Sequence, residues 1–207
     1  MIFLQKLNYN NEMKKIIKSL NGSRPKLLLH ACCGPCSSAV LERLNEAFDI
    51  SVLFYNPNID SSDEYFYRLE ELRRLIDEMD LKVETIDPSY NSQEFYDAVK
   101  GHEDDKEGGA RCSICFKLRL DEAAKYAKEN NFDYFTTSLS ISPYKNAQLL
   151  NKIGAICGEK YGVNYLYSDF KKENGYKRSI ELSKDHHLYR QDYCGCSFSK
   201  KERLESL

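Results

Sequence analysis

Short apolar runs alternate with helical patterns of apolar residues along most of this 207-residue chain, and this alternation constrains the fold more than any other feature. The apolar runs predict strands at 26–31, 50–55, 82–86, 134–138 and 164–167. The helical patterns predict helices at 37–48, 62–79, 93–100, 112–130, 145–161 and, as the last helix, 174–184. Because parallel neighbours need long crossovers, we predict an α/β fold: a mainly parallel sheet of about five strands with helices on both faces.

The chain is expected to form one domain. Neither a break in composition nor a linker rich in Pro, Ser or Gly divides it, and its length suits a single well-cored unit. We therefore predict an α/β domain over residues 25–207, preceded by a basic N-terminal arm over residues 1–24. Residues 1–30 carry six basic side chains against one acidic, and residues 171–207 carry nine against six. Two basic ends could hold a phosphate backbone, although ordinary solvated charge explains them equally well.

The N-terminal sequence lacks the basic start, long apolar stretch and cleavage site of a signal peptide, and no run of about 18 apolar residues occurs anywhere. We therefore expect a cytoplasmic protein with no membrane partner. In a reducing compartment, grouped cysteines are more often metal ligands or redox-active thiols than structural disulfides.

Seven of the eight cysteines fall into three tight groups. The groups are Cys32, Cys33 and Cys36; Cys112 and Cys115; and Cys194 and Cys196. Cysteine kept for packing has no reason to recur at such short offsets in three distant places, so the grouping indicates thiolate chemistry. The eighth, Cys157, is expected to be a buried packing residue.

The first two groups contain four thiols that could share one metal centre. Cys112 and Cys115 are three residues apart, so both face the same side of a helix. Cys32 and Cys33 are adjacent and can converge only where the chain turns, which the Gly-Pro that follows them allows. Four thiolates suit either tetrahedral zinc or an iron–sulfur cluster. An adjacent pair is unusual around one zinc ion, so the spacing favours the cluster without excluding zinc.

The third group, Cys194 and Cys196, is separated by a single glycine. Glycine lets the chain bend enough to bring the two sulfurs together, and a strained disulfide of this kind would be labile and oxidising. This predicts a redox-active pair, and the alternative gives one or both sulfurs to a metal. Cys36, three residues after Cys33, is a further candidate ligand for the cluster or for a second metal ion, or else a spare thiol near the site.

Other polar residues lie where a parallel sheet places its ligands, at or just beyond the carboxyl ends of the predicted strands. Besides the first cysteines they are Asn56, Asn58, Asp87, Ser138 and Asp169. Asp169 could be a proton donor or a helix cap. Four arginines near the cysteine groups either bind phosphate or offset thiolate charge: Arg111, Arg119, Arg178 and Arg190. Three tyrosines either stack on a base or serve packing: Tyr144, Tyr189 and Tyr193.

Several segments, taken together and in order, are highly specific for one family. They are LLHACCGPCSSAV, FYNPNI with EYFYRLEEL, GARCSICFKLRL, DYFTTSLSISPYKN, DFKKENGY and LYRQDYCGC, which span about residues 25–198. In these segments the chain resembles the epoxyqueuosine reductases of the QueH type. The resemblance implies a Rossmann-like three-layer sandwich of the adenine nucleotide alpha hydrolase type, with residues 25–207 as the catalytic domain, and this agrees with the predicted sheet.

The resemblance also implies the cofactors. A [4Fe-4S] cluster would be held by the adjacent pair and the Cys-x-x-Cys pair, which correspond here to Cys32, Cys33, Cys112 and Cys115. The Cys-x-Cys pair, Cys194 and Cys196, would be redox-active, and an additional mononuclear iron would lie close to the cluster. Candidate ligands for that iron are Cys36, Cys194 and Cys196.

The activity implied is the last step of tRNA queuosine biosynthesis, in which the epoxide oxygen of epoxyqueuosine at the anticodon wobble position is removed with two electrons and two protons. The partners would be a tRNA carrying epoxyqueuosine and an external electron donor. We expect the wobble base to be splayed into the crevice, with Tyr144 against it and the phosphates meeting Lys145, Arg178 and Arg190. The proton donor would be Asp169, Tyr144 or a metal-bound water.

Three other functions stay open on the sequence. A tRNA sulfur-transfer enzyme would share the fold and a cluster, although the Ser-Gly-Gly-x-Asp-Ser phosphate loop of ATP pyrophosphatases is replaced here by Cys-Cys-Gly-Pro-Cys-Ser. A non-catalytic, zinc-stabilised interaction protein would be colourless and would unfold when the metal is removed. A metal-free thiol–disulfide exchanger is disfavoured because the segment Cys112 to Cys115 does not follow a predicted strand.

Overall fold

The computed structural model describes residues 7–206, so the first six residues of the predicted N-terminal arm and Leu207 lie outside the described residues. The strands are β1 (Lys26–His30), β2 (Asp49–Leu53), β3 (Glu84–Ile86), β4 (Tyr134–Thr137) and β5 (Asn164–Tyr165). The helices are α1 (Tyr9–Ser19), α2 (Gly34–Leu44), α3 (Ser62–Glu78), α4 (Gln93–Ala98), α5 (Ala110–Glu129), α6 (Ala147–Tyr161), α7 (Gly175–Asp185) and α8 (Ser197–Glu205). A short 3-10 turn, Ser138–Ile141, follows β4.

The five strands form one parallel sheet in the order β3-β2-β1-β4-β5, which confirms the predicted sheet. In the register of the central strands, Leu29 of β1 lies opposite Val52 of β2 and Thr136 of β4. From β1 the chain adds β2 and β3 toward one edge of the sheet, and it then adds β4 and β5 on the other side of β1. The strand order therefore reverses between β1 and β4, and a crevice opens at their carboxyl ends.

Helices cover both faces of the sheet, because the buried side chains of β1 alternate between two apolar clusters. Leu27 and Leu29 pack on the face covered by α2, α3 and α7, whereas Leu28 packs on the face covered by α5 and α6. A strand buried on both faces reads as a continuous apolar run, which is what the sequence shows. The result is the predicted three-layer sandwich.

Two helices and several element boundaries depart from the prediction. Helix α1 begins behind Asn8, whose side chain accepts the Asn11 N–H, and it buries Met13 against the sheet layer. Helix α8 follows α7, so the prediction that the segment 174–184 is the last helix is wrong. Ser138 belongs to the 3-10 turn and not to β4. Within residues 7–206, no helix combines the length and the apolar character needed to span a membrane.

Candidate active site

The first cysteine group occupies the turn between β1 and α2, at the carboxyl edge of the sheet. Cys33 is the residue that precedes the first turn of α2, and Pro35 lies in that turn, where its missing N–H costs nothing. The chain leaves the strand direction at Cys32, so the two adjacent sulfurs lie 3.8 Å apart instead of on opposite faces. Together with Cys36 they form a trio whose Sγ atoms are all within 4.8 Å of one another.

Ionisation within this trio is unequal. Hydrogen bonds from Cys33 and Cys36, helped by positive charge from Arg119 and Lys145, hold the pKa of the Cys32 thiol well below its usual range despite burial. The same contact with Cys32 raises the pKa of Cys33 to about 12. The N-terminus of α2 adds its partial positive charge to this end of the helix. Among these three thiols, the surroundings of Cys32 favour the thiolate form, which is the form that binds metal.

Arg119 of α5 lies at the centre of the cysteine groups and is only 1% exposed. Its Nη2 donates a hydrogen bond of 2.6 Å to Asn56 Oδ1, and Asn56 in turn donates to the Ala31 carbonyl at the end of β1. Burial alone would lower the pKa of Arg119, but the neighbouring Cys115, Cys32 and Cys194 outweigh it and raise that pKa. A guanidinium this deeply buried offsets thiolate charge and does not reach a phosphate.

The second cysteine group lies in the first turns of α5. The backbone N–H of Gly108 donates to Cys112 Sγ at 3.2 Å, and burial raises the pKa of the Cys115 thiol to about 11. These two cysteines, together with Cys194 and Cys196, line a small cavity of about 20 Å³. The structure thus places the second and third groups around one space, next to Arg119.

The third group is shaped by its glycine and by helix α8. Gly195 has a φ of 122°, a conformation that residues other than glycine rarely adopt, so the chain bends sharply between Cys194 and Cys196. Cys196 caps α8, where its Sγ accepts the Ser199 N–H at 3.4 Å. Burial raises the pKa of Cys196 to about 12. All eight cysteines are free thiols in the structure, which leaves both roles predicted for the pair available.

A larger cavity of about 730 Å³ opens over the sheet edge between β1 and β4. Its wall includes sulfur-bearing side chains from the first and third groups, Cys32, Cys36 and Cys194. Because Cys194 also lines the small cavity, it separates the two spaces. The volume lies within the range of about 300–1,000 Å³ that is typical of small-molecule sites, and it suits a nucleoside.

The remaining wall of the large cavity carries aromatic and charged side chains. Tyr144, which is 83% exposed, stands at the mouth, and Tyr176 and Tyr193 lie on the wall. Lys145 and Arg190 are the basic side chains of this wall that the sequence predicted for tRNA binding. Burial opposes the charge of Lys145, but the neighbouring thiolates of the first and third groups raise its pKa, so it is an ammonium.

Comparisons with known proteins agree with this geometry. A family model described as epoxyqueuosine reductase QueH matches residues 27–202. The chain belongs to the QueH family of epoxyqueuosine reductases. The family assignment confirms the resemblance of the sequence motifs, and it favours reduction over the sulfur-transfer, zinc-interaction and thiol-exchange functions.

Curated QueH relatives cover nearly the whole chain. The epoxyqueuosine reductase QueH of Staphylococcus aureus is 44% identical over 96% of this chain and 86% of its own length. The protein of the same name from Streptococcus pyogenes is 42% identical over 95% of this chain and 80% of its own length. The epoxyqueuosine reductase QueH of Thermotoga maritima is 36% identical over 86% of this chain and 92% of its own length.

Among solved structures, the U34-tRNA thiolase NcsA from Methanococcus maripaludis, determined with its [4Fe-4S] cluster, aligns with a TM-score of 0.54. The two sequences are 13% identical, and the alignment covers 96% of this chain and 72% of the thiolase. This likeness supports the predicted Rossmann-like fold of the adenine nucleotide alpha hydrolase type.

Three of the residues predicted for the QueH site line neither cavity: Cys33, which is buried within the first cysteine group, Arg178 and Asp169. Arg178 of α7 pairs with Glu42 of α2 at 2.7 Å and also with Glu181, because its side chain points along the helix layer. Asp169 forms an ion pair of 3.1 Å with Lys171. Cys157 is buried in the apolar layer between α6 and the sheet, 2% exposed, which confirms its predicted packing role.

The structure adds residues that the sequence reasoning missed, either beside the third cysteine group or on the cavity walls. Arg68 of α3 is buried, donates to the Cys194 carbonyl at 3.3 Å and lies over the Tyr193 ring. Its position on the apolar face of α3 indicates a buried side chain, and a buried arginine needs a polar partner. Glu107 lines both cavities but sits in an acidic loop that offered no such signal. Gln191 lines the large cavity and leaves Oε1 without a partner.

Proposed function

We propose that this chain reduces epoxyqueuosine in tRNA to queuosine within the large cavity. The observation that carries the proposal is the position of that cavity: it lies where the strand order reverses, and cysteines of two groups, Cys32 and Cys194, are on its wall. A base splayed from an anticodon loop would enter there with its epoxide beside the thiols. Family membership supports the same reaction.

We infer that Cys32, Cys33, Cys112 and Cys115 hold a [4Fe-4S] cluster. The donor set fits such a group, because it consists of thiols alone and a buried cation, Arg119, faces both pairs. A buried guanidinium needs compensating negative charge, which four metal-bound thiolates supply. The cluster would deliver electrons one at a time when bound. Tetrahedral zinc is the competing occupant of this donor set.

A second metal ion is a separate proposal. The trio Cys32, Cys33 and Cys36 is compact enough to face one ion, and the cluster assignment leaves Cys36 free. Cys194 lines the same cavity as Cys36 and would face the same ion. Cys196 is farther from that space, since it lines the small cavity only.

Cys194 and Cys196 would supply the two electrons that the reduction consumes. Oxidation of the Cys194 and Cys196 thiols to a disulfide releases two electrons and two protons. Removal of the epoxide oxygen consumes the same number: both C–O bonds break, a carbon–carbon double bond forms and the oxygen leaves as water. An external reductant would then restore the dithiol. Of the two side chains predicted as proton donors, Tyr144 lines the cavity and Asp169 does not; the Lys145 ammonium, which the sequence did not suggest for this role, also lines it.

The tRNA backbone would meet the basic residues around the cavity mouth. We expect Arg190→Ala to weaken tRNA binding several-fold and to lower its salt dependence, because Arg190 is exposed at the mouth and pairs with no acid within residues 7–206. Arg178→Ala is the matched control, because Arg178 is already paired with Glu42. Equal effects of the two substitutions on tRNA affinity would contradict this path for the backbone.

The reaction is tested by purifying the protein without oxygen, measuring its absorption, iron and sulfide, and adding chemical reductant with tRNA that bears epoxyqueuosine. Brown protein that yields queuosine, and a Cys194→Ser variant that keeps the iron and sulfide of the cluster but loses turnover, would support the proposal. Cys157→Ser is the control and should retain both. A colourless zinc protein without turnover would contradict the cluster assignment, and a cluster without turnover would favour sulfur transfer.

A further inference from the structure

One acidic side chain on the wall of the large cavity has no place in the reaction described above. Five charged side chains line this cavity: Glu107, Lys145, Arg190, Asp192 and Arg203. Asp192 is paired with Arg203, whose Nε lies 3.2 Å from its Oδ2. Glu107 forms no ion pair with any side chain of residues 7–206, and its carboxylate accepts only the Ser199 hydroxyl, at 3.3 Å. It is the uncompensated negative charge of this wall.

The backbone around Glu107 is held in place from two sides. The Glu107 N–H donates to both carboxylate oxygens of Glu202, each at 3.1 Å, and Glu202 is paired with the buried Arg111 at 2.9 Å. The next residue, Gly108, donates its N–H to Cys112 Sγ at 3.2 Å. Glu107 is thereby presented from a pinned loop, beside the cysteines and on the wall of both cavities.

The substrate of the proposed function offers a group that matches this charge. Epoxyqueuosine carries its cyclopentane ring on an aminomethyl arm, and the secondary amine of that arm is protonated near neutral pH, as a lysine amine is. Guanine, the unmodified wobble base, has no such cation. An ammonium and a carboxylate form a charge-assisted hydrogen bond, which is stronger than a neutral one.

We propose that Glu107 binds the ammonium of the substrate's aminomethyl arm and so makes the cavity selective for the modified wobble base. This inference rests on the proposed function and names how its substrate is recognised. Glu107 and Cys194 line both cavities, so an ammonium held by Glu107 in the large cavity would place the adjoining epoxide ring near the Cys194 thiol.

The test compares the affinities of the holoprotein for three anticodon stem-loops that differ only at the wobble base. One carries guanine, one carries 7-aminomethyl-7-deazaguanine, which keeps the ammonium but lacks the ring, and one carries epoxyqueuosine. We expect the native protein to bind both ammonium-bearing RNAs about tenfold more tightly than the guanine RNA. Glu107→Gln should bind all three within about twofold of one another.

Glu107→Gln keeps an acceptor for Ser199 and leaves the backbone bonds to Glu202 intact, so its urea unfolding midpoint should match the native one. Glu103→Gln, in the same loop but off both cavities, is the matched control and should keep the tenfold preference. The inference is overturned if Glu107→Gln keeps the preference, or if Asp192→Asn abolishes it instead. Turnover of the epoxyqueuosine RNA by the native protein is measured alongside. Its absence, with the Glu107-dependent preference intact, would refute reduction while leaving ammonium recognition standing.

Discussion

Replacing Gly195 with alanine should destabilise the segment that carries Cys194 and Cys196. The backbone there has a φ of 122°, and a left-handed backbone costs a non-glycine residue about 1–2 kcal/mol. The added Cβ would also lie 3.2 Å from Ile59 Cγ1 and 3.2 Å from Arg68 Nη1, both on buried side chains that have little room to move. Overpacking of this kind costs about 1–3 kcal/mol, so we expect about 3 kcal/mol in total.

The control is Gly101→Ala. Gly101 has a φ of 84°, but nothing lies within 4 Å of its added Cβ, so only the backbone term of about 1 kcal/mol applies. For a chain of this size, 1 kcal/mol shifts the thermal midpoint by about 2–4 °C. The thermal unfolding midpoint of the anaerobic holoprotein should therefore drop by about 6–12 °C for Gly195→Ala and by about 2–4 °C for Gly101→Ala. Equal drops for the two variants would refute the argument from crowding.

Three further substitutions or reactions test the buried groups. Arg119→Met should destabilise the holoprotein by about 2–4 kcal/mol and lower its iron content, because the thiolates lose their buried counter-charge. Urea unfolding measures the stability and metal analysis measures the iron. Arg119→Lys, which keeps a positive charge, should lose less stability and less iron. Burial raises the pKa of the Cys157 thiol to about 11, so at pH 8 about one molecule in a thousand carries that thiolate; mass spectrometry should find Cys157 alkylated by iodoacetamide only in urea, and faster as the pH rises. The Tyr65 hydroxyl lies 2.6 Å from both the Phe54 carbonyl and Asp87 Oδ1, so Tyr65→Phe should lower the unfolding free energy by about 1–3 kcal/mol, and an unchanged urea midpoint would contradict this.

The sheet and the positions of the cysteine groups could be predicted because each depends on local sequence. Leu27 to Leu29 form a strand that is buried on both faces, and such strands have an unbroken apolar signature. The Gly-Pro after Cys33 was interpreted as a turn before a helix that begins at residue 37. The structure starts α2 at Gly34, because proline fits the first turn of a helix as well as it fits a turn.

The walls of the cavity could be predicted only in part, because they depend on how helices rotate against the sheet. Tyr176 and Ser179 of α7 face the large cavity, whereas Arg178 between them faces α2. Adjacent helical positions point about 100° apart, and the polar sequence of α7 does not reveal which of them turns inward. Ion pairs between residues far apart in the chain, such as Arg111 with Glu202, leave no pattern in the local sequence either.

Helix α8 was missed for a related physical reason. Its sequence, SFSKKERLE, has few apolar residues and no repeating apolar face. It is held by particular contacts: Glu202 pairs with Arg111, and the Arg111 guanidinium lies 4.5 Å from the centre of the Phe198 ring. A helix fixed by single contacts instead of an apolar stripe leaves no periodic pattern to detect.

The attachment of α8 has a consequence for the order of events during synthesis. Six of the eight cysteines, including both pairs assigned to the cluster, leave the ribosome before Cys194 does. The parallel sheet is complete at Tyr165, so the strand edge and the α5 thiols can be in place while the wall that Cys194 and α8 provide has not yet been made. The nascent chain therefore passes through a stage in which the thiols of the second group lack the wall that Cys194 and α8 later provide.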